Sequence, residues 1–171
     1  MVVSYILLIH TLQDLDPANM VYSSETIPVG PFQIHKDKIY LIDFGSSRFF
    51  TDGPAKGIRI NDFRMLGGHF LPPEGMDSVD PYAYDVFCLG NVLTILHLVH
   101  VVINAFCFVT HWHYLQEMAD QNPGIQVPEV VVAFCDRLQD DDPCKRPTAK
   151  EALSQWRDVM ASLQTHDTPK T

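Results

Sequence analysis

The chain has 171 residues, of which 46% are hydrophobic and 19% are charged. That length predicts a single domain with one core, and the hydrophobic content excludes a wholly disordered chain. The 12 Lys and Arg against 21 Asp and Glu give a formal net charge of −9. This excess of acid argues against nucleic acid as a partner, because binding to a phosphate backbone depends on Lys and Arg. It does not exclude a nucleotide, since that site can be built from a few residues and a metal ion.

The cysteines and the first residues bear on the compartment. Four cysteines, Cys88, Cys107, Cys135 and Cys144, include no CxxC pair. We therefore expect reduced thiols in a cytoplasmic or nuclear protein. The apolar start MVVSYILLIH has no Lys or Arg before it and no small-residue cleavage site, so a signal peptide is not expected. Residues 2–9 are predicted to be the end of a helix.

The next part of the chain predicts short strands and long loops. Residues 10–19 are turn-like, residues 19–23 predict a short strand, and residues 38–43 (KIYLID) predict a better one. The segment between them, SSETIPVGPFQIHKD, contains two prolines and a glycine and is interpreted as an irregular insertion. Residues 43–74 hold five glycines and little periodicity. They are predicted to form a long loop, and loops of that length are usually functional or mobile.

Helices follow. Asp80-Pro81 is a good helix start, an acidic N-cap followed by proline at the first helical position. Residues 92–110 carry no formal charge over 19 positions, which meets the minimum length of a spanning helix. His97, His100 and Asn104 inside the run and the absence of basic flanks favour a buried core helix over a membrane span. Residues 86–99 should form the central helix.

Two further helices are predicted nearer the C-terminus. Pro128 opens the first, in which Val131, Phe134 and Leu138 recur at helical spacing. Thr148-x-x-Glu151 is a capping box that begins the last helix, which runs to about residue 163. The domain is thus predicted to cover residues 1–163, followed by a flexible tail over 164–171.

Five motifs occur in a fixed order. They are Asp14-Leu-Asp-Pro-Ala-Asn19, Asp43-Phe44-Gly45 after an apolar strand, Pro72-Pro73-Glu74, Asp85-x-x-x-x-Gly90 within the first long helix, and Asp142-Pro143-x-x-Arg146-Pro147 before the last helix. Each motif alone is weak. Their order and spacing resemble the C-terminal lobe of a eukaryotic protein kinase, where the matching landmarks are the catalytic loop, the DFG motif, the APE motif, the central-helix Asp and a late Arg. The segments QDLDPANMV, YLIDFGSS and LPPEG also resemble the corresponding segments of fungal-type kinase-like domains.

The resemblance implies a mainly α fold of the α+β class, with a small β element near the catalytic loop. It also implies ATP and Mg²⁺ as cofactors and a protein substrate with Ser or Thr hydroxyls. Asp14 would accept or orient the substrate hydroxyl proton, and Asn19 and Asp43 would hold the magnesium ions. Magnesium prefers oxygen ligands and keeps several waters, so one carboxylate and one amide suffice. Judged from the residues alone, Asp14 and Asn19 would also fit a plain turn.

The remaining matches are structural. Phe44 and Gly45 complete the DFG motif. Glu74 and Arg146 would form a buried ion pair, and the carboxylate of Asp85 would face the backbone of residues 12–14. Judged from the residues alone, Arg146 would be interpreted as a surface arginine before a helix. Asp85 would be interpreted as an acid in the first turn of a helix, where it interacts with the helix dipole.

The sequence also departs from the pattern. The chain starts just before the catalytic loop and contains no glycine-rich loop and no strand lysine of the kind that binds the α- and β-phosphates in the family. The resemblance thus predicts that the N-terminal lobe is absent from it. Leu12 and Gln13 stand where the family has His and Arg, and Asp16 where it has Lys. A glutamine cannot pair with an activation-segment phosphate as arginine does. Only Ser46, Ser47 or Thr51 offers a hydroxyl on the segment after Asp43 before Glu74.

Four histidines raise the alternative of a zinc site, and the stretch 97–114 has two possible origins. His97-x-x-His100 and His111-x-His113 lie in apolar surroundings and lack the partners of a tetrahedral zinc site, so core or surface histidines are expected. Residues 97–114 are longer and more apolar than the family connection, which fits either a lineage insertion or a gene-model error.

The resulting functional expectation is a truncated protein kinase that has no meaningful activity as an isolated chain. The alternative is a non-catalytic, kinase-like (pseudokinase) module that binds a protein partner on its exposed upper-lobe face. No membrane partner is expected, and a small membrane protein spanning at residues 92–110 is the least favoured hypothesis.

Overall fold

A computed structural model describes residues 10–54, 57–63, 70–103 and 127–166. This part of the chain is mixed α+β. Its strands are β1 (His10–Thr11), β2 (Met20–Ser23), β3 (Ile27–Val29), β4 (Phe32–Ile34), β5 (Lys38–Leu41) and β6 (Arg48–Phe49). Its helices are a 3₁₀ turn (Pro17–Asn19), α1 (Pro81–Ile103), α2 (Glu129–Leu138) and α3 (Ala149–His166). The predicted helix end over residues 2–9 lies outside the described residues.

The strands form three small antiparallel pairs, β1 with β6, β2 with β5 and β3 with β4. In the first pair, His10 lies opposite Phe49 and Thr11 opposite Arg48. In the second, Met20 lies opposite Leu41. These two pairs matter for function because they set the residues that follow β1 beside the residues that follow β5.

The prediction of an irregular insertion over residues 23–37 was wrong, because β3 and β4 form a hairpin there. The register pairs Val29 with Phe32 across a two-residue turn. Gly30 supplies the positive φ, +57°, that such a turn requires at its first central position. Pro28 is tolerated because this strand is an edge, where a missing N–H can face away from the partner.

The long loop predicted over residues 43–74 contains more pairing than expected. It includes β6 and an antiparallel bridge between Ile60 and Val79. The two backbone bonds of that bridge measure 2.9 and 3.0 Å, and both side chains are buried. This bridge attaches the segment to the stretch just before α1.

Helix α1 begins where the sequence predicts. The Asp80 carboxylate accepts N–H bonds from Tyr82 at 2.9 Å and Ala83 at 3.1 Å, with Pro81 at the first helical position. The predicted central helix over residues 86–99 lies within α1, and the described side chains from Val86 to Ile95 are buried or half-buried. In the described ranges, no helix is both long and apolar enough to cross a bilayer. Most of the stretch 97–114, with Cys107, His111 and His113, lies outside those ranges.

Among the described residues, the core has two clusters that share α1. One packs the loop after β1 against α1 and contains Leu12, Leu15, Ile60, Val79, Tyr84, Phe87, Cys88 and Val92. The other packs α1 against α2 and α3 and contains Val86, Val131, Phe134, Cys135, Leu138, Ala152 and Val159. The helix predicted from the spacing of Val131, Phe134 and Leu138 is therefore present, and these three side chains are buried in the core. Three cysteines fall in the described residues, Cys88, Cys135 and Cys144, and all are free thiols.

Helix α3 begins with the predicted capping box. The Glu151 carboxylate accepts the backbone N–H of Thr148 at 2.8 Å, and the Glu151 N–H donates to the Thr148 hydroxyl at 3.3 Å. The helix continues to His166, three residues beyond its predicted end at 163. The first residues of the predicted tail are thus helical.

Candidate functional site

The segment after β1 is held by one carboxylate of α1. Asp85 accepts the backbone N–H of Leu12 at 2.7 Å and that of Gln13 at 2.8 Å. Gln13 has a φ of +58°, which turns the chain sharply at this point. Because the flanking Leu12 and Leu15 are buried, Asp14 between them lies at the edge of the core. The predicted contact between the Asp85 carboxylate and the backbone of residues 12–14 is therefore present.

The following turn brings Asn19 to the same place. Asp16 caps the 3₁₀ turn by accepting the backbone N–H of Ala18 at 2.7 Å. The Asn19 side-chain nitrogen donates to the backbone carbonyl of Asp14 at 3.1 Å. The amide nitrogen is committed to this bond, so the amide oxygen is the atom that Asn19 can offer to a cation.

Asp43 is placed next to this turn by the end of β5. The N–H of Ile42 donates to the carbonyl of Asn19 at 2.9 Å, which extends the β2–β5 pairing up to the turn. Asp43 then adopts a φ of +57°, and its carboxylate accepts the N–H of Gly45 at 3.2 Å. Phe44 has about half its surface exposed, at 48%, so it lies at the rim and outside the core.

Asp14, Asn19 and Asp43 line one small pocket. Its other walls are Leu12, Leu15, Leu41, Ile42, Phe44 and Ser47. The cavity volume is about 10 Å³, which is the scale of a single water or a small ion. Two carboxylates and an amide oxygen around such a space fit a hard cation that keeps most of its water shell. A nucleotide does not fit inside it and could only lie across its mouth.

The donor set is small. Among the described residues, no group of three or more His, Cys, Asp or Glu side chains is arranged to hold a metal ion. The side chains of His97 and His100 are not among those described, so the zinc alternative at these positions lies outside the described residues. Two carboxylates with one amide predict weak, millimolar cation binding, as in sites with few charged ligands.

The predicted ion pair between Glu74 and Arg146 is present. The Arg146 Nη1 donates to Glu74 Oε1 at 2.8 Å and Nη2 to Oε2 at 2.5 Å. The arginine side chain is fully buried, and that of Glu74 is 15% exposed. The Nε of Arg146 also donates to the carbonyl of Asp140 at 2.8 Å, and its guanidinium lies 4.8 Å from the centre of the Phe87 ring. This bidentate pair joins the end of the 43–74 loop to the loop before α3.

Asp85, which holds the loop of Asp14, is a buried acid. Burial raises the pKa of Asp85 to about 7, while the N–H bonds from Gln13 and Leu12 act in the opposite direction and the charge of Asp80 adds to the increase. A buried carboxylate with no cation beside it is costly to ionise. The two backbone bonds offset only part of that cost.

Two departures from the family pattern have local structural roles. The Gln13 side chain is buried at 3% exposure and donates to the Thr11 hydroxyl at 2.9 Å, so it faces the interior and is unavailable to a ligand. Asp16 is used as the cap of the 3₁₀ turn and is not among the residues that line the pocket. Its carboxylate therefore lies beside the site without forming its wall.

Two residues shape this region in ways that the sequence did not predict: Ser47 was identified only as a hydroxyl on the segment after Asp43, and Tyr84 was not identified at all. Ser47 lines the pocket, and Tyr84 is fully buried with its hydroxyl donating to the carbonyl of Phe70 at 3.1 Å. The Tyr84 ring meets Phe63 edge-on at 5.0 Å between centroids. The β1–β6 register, which local patterns do not reveal, was needed to find Ser47; Tyr84 is one residue before Asp85 and carried no motif of its own.

No model of a known protein family matches the sequence, and a search of curated proteins finds no significant match. The function must therefore be inferred from the residues and their contacts.

Proposed function

We propose that residues 1–163 are the C-terminal lobe of a protein-kinase-like domain, and that the pocket formed by Asp14, Asn19 and Asp43 is its cation site. The activity of that family is ATP-dependent phosphoryl transfer to protein Ser and Thr hydroxyls. The observation that carries the proposal is the convergence of these three polar side chains on one small pocket. The sequence motifs place them in two separate loops, and nothing local requires the loops to meet.

The proposed roles follow from position. Asn19, through its amide oxygen, and Asp43, through its carboxylate, would hold Mg²⁺ bound to ATP, which neutralises phosphate charge during transfer. Asp14, which lines the same pocket, would orient the acceptor hydroxyl and receive its proton. The N–H bonds to Asp85 fix the loop that carries Asp14, so the acid–base group is positioned by α1.

The isolated chain is expected to be inactive. Its 171 residues contain no glycine-rich loop and no strand lysine ahead of the Asp14 loop to bind the α- and β-phosphates, and the pocket is open above Asp43, which is exposed. Phosphoryl transfer depends on positioning the phosphates and on electrostatic stabilisation in a site that excludes water. The groups described here supply the lower half of such a site only.

The second candidate is a non-catalytic module that binds a protein partner. The observation that favours it is the set of exposed apolar side chains on the β pairs, of which Phe32 is 75%, Tyr22 60% and Ile39 56% exposed. Exposed apolar side chains that cluster often mark an interaction surface. In this candidate the pocket has no role in catalysis, and substitution of Asp43 would leave partner binding intact.

Two measurements on the purified chain test the proposal. ATP turnover with a generic protein substrate should be at background, and the thermal unfolding midpoint should move little with Mg-ATP. Paramagnetic Mn²⁺ should broaden the amide NMR signals of Asp14, Asn19 and Asp43 at millimolar concentration. Asp43→Ala should remove this broadening, whereas the exposed Asp77→Ala should leave it unchanged.

Each outcome separates the candidates. Absence of Mn²⁺ broadening at the pocket would contradict the cation site and favour the non-catalytic module. Robust turnover abolished by Asp43→Ala would contradict inactivity while supporting the site.

A further inference from the structure

Ser47 lies where the β1–β6 pairing stops. The register pairs residue 10 with 49 and residue 11 with 48, so the next step would pair Leu12 with Ser47. The backbone cannot complete this step. The N–H of Leu12 donates to Asp85, and the N–H of Ser47 donates to the carbonyl of Phe44 at 3.0 Å in the turn after Asp43.

The side chain of Ser47, in place of its backbone, makes the contact with Leu12. Its hydroxyl approaches the carbonyl of Leu12 at 3.4 Å, a long hydrogen bond, and its side chain lines the pocket with Asp14 and Asp43. Leu12 is two residues before Asp14, and Ser47 is four residues after Asp43. The contact thus connects the two acidic loops close to both carboxylates.

We infer that Ser47 is a positioning residue that sets the spacing of Asp14 and Asp43 and so the cation affinity of the pocket. This inference rests on the cation site proposed above. Two carboxylates brought close together repel each other, so the loops that carry them need a contact that holds them at one separation. The Ser47 hydroxyl supplies it from the pocket wall, without adding charge.

Ser46 provides a matched control. It is the neighbouring serine, it is also half-buried, and it does not line the pocket. Substitution of either serine by alanine removes one hydroxyl from the same turn. Only the loss at position 47 should alter the relation between the two acidic loops.

The test is Mn²⁺ titration of the full chain, followed by broadening of individual amide signals. In the parent chain, signals near Asp14 and Asp43 should broaden with one common midpoint. Ser47→Ala should weaken binding about two- to five-fold, as expected for one modest hydrogen bond, and should raise the midpoint equally for the signals of both loops. Ser47→Thr, which keeps the hydroxyl, should restore the parent midpoint, and Ser46→Ala should match the parent.

The outcomes distinguish this inference from the proposed function. If the parent chain shows no Mn²⁺ broadening at the pocket, both fail. If the parent binds Mn²⁺ and Ser47→Ala behaves as Ser46→Ala does, only the role of Ser47 is refuted. A thermal melt of each variant verifies that it folds, and a Ser47→Thr variant that binds no better than Ser47→Ala would also refute the role of the hydroxyl.

Discussion

The β pairs and the helices of this chain are packed in different ways. In the helical region, α1, α2 and α3 bury Phe134 and Leu138 almost completely. In the β region, Tyr22, Phe32 and Ile39 have more than half of their surface exposed. The candidate site is carried by loops of the β region, yet those loops are fixed by groups of the helical region. The difference indicates that stability comes from the helices, and that site geometry is transmitted from them through a few long-range contacts.

The largest effect should come from the ion pair that joins the loop ending at Glu74 to the helices. Arg146→Ala should lower the free energy of unfolding by about 3–5 kcal/mol, because the carboxylate of Glu74 is left half-buried without its partner. Lys145→Ala is the control, since Lys145 is exposed and lies 3.8 Å from Asp142; it should change stability by less than about 0.5 kcal/mol. Urea unfolding measures both. Equal effects would show that the buried pair does not join the two regions.

The next effect concerns the contact from α1 to the site. Asp85→Asn should cost about 1–3 kcal/mol at pH 5, because the amide replaces one acceptor oxygen with a donor that faces a backbone N–H. The measurement is again urea unfolding, with exposed Asp77→Asn as the control. A cost as small as that of Asp77→Asn would mean that α1 does not fix the loop of Asp14.

The same variant has a pH signature. Burial raises the pKa of Asp85 to about 7, above the ordinary value near 3.8, so the folded chain binds this proton more tightly than the unfolded chain. Its contribution to stability is complete below about pH 4 and is lost as the pH rises through about 7. The advantage of the parent over Asp85→Asn should therefore shrink between pH 4 and 8. An advantage that grows over this range would show that the two N–H bonds outweigh burial.

The sequence predicted the helical region better than the β region for physical reasons. Helix starts depend on local chemistry, so Asp80-Pro81 and the Thr148 and Glu151 box could be identified from a few neighbouring residues. The hairpin was missed because its prolines and Gly30 were interpreted as loop signals, although apolar residues alternate on both sides of the turn. Long-range contacts such as Asp85 to Leu12 span 73 residues. Their prediction came from the resemblance to a known family, since no local pattern brings such residues together.

A smaller effect is expected at Gly90, where α1 lies against the end of α2. A Cβ added to Gly90 would lie 2.7 Å from the Gln139 Cγ and 2.9 Å from the Leu138 Cβ. Gly90→Ala should therefore destabilise the chain by about 1–2 kcal/mol, since overpacking outweighs the gain of alanine in a helix. Ser154→Ala, at an exposed position of α3, should be neutral or slightly stabilising. A stabilised Gly90→Ala variant would show that the helical region is packed less tightly than the contacts indicate.

The smallest effect should be found on the hairpin, and it tests the comparison directly. Phe32 is 75% exposed and Phe134 is 2% exposed, so the same substitution can be made in both regions. Phe134→Ala should cost about 3–5 kcal/mol through the cavity it leaves. Phe32→Ala should change the unfolding free energy by no more than about 0.5 kcal/mol, because little apolar contact is lost.

The Phe32→Ala variant also exposes fewer apolar atoms, so it should self-associate less than the parent chain, as measured by sedimentation at rising concentration. A loss of more than about 1 kcal/mol for Phe32→Ala would mean that the β region contributes to the core after all.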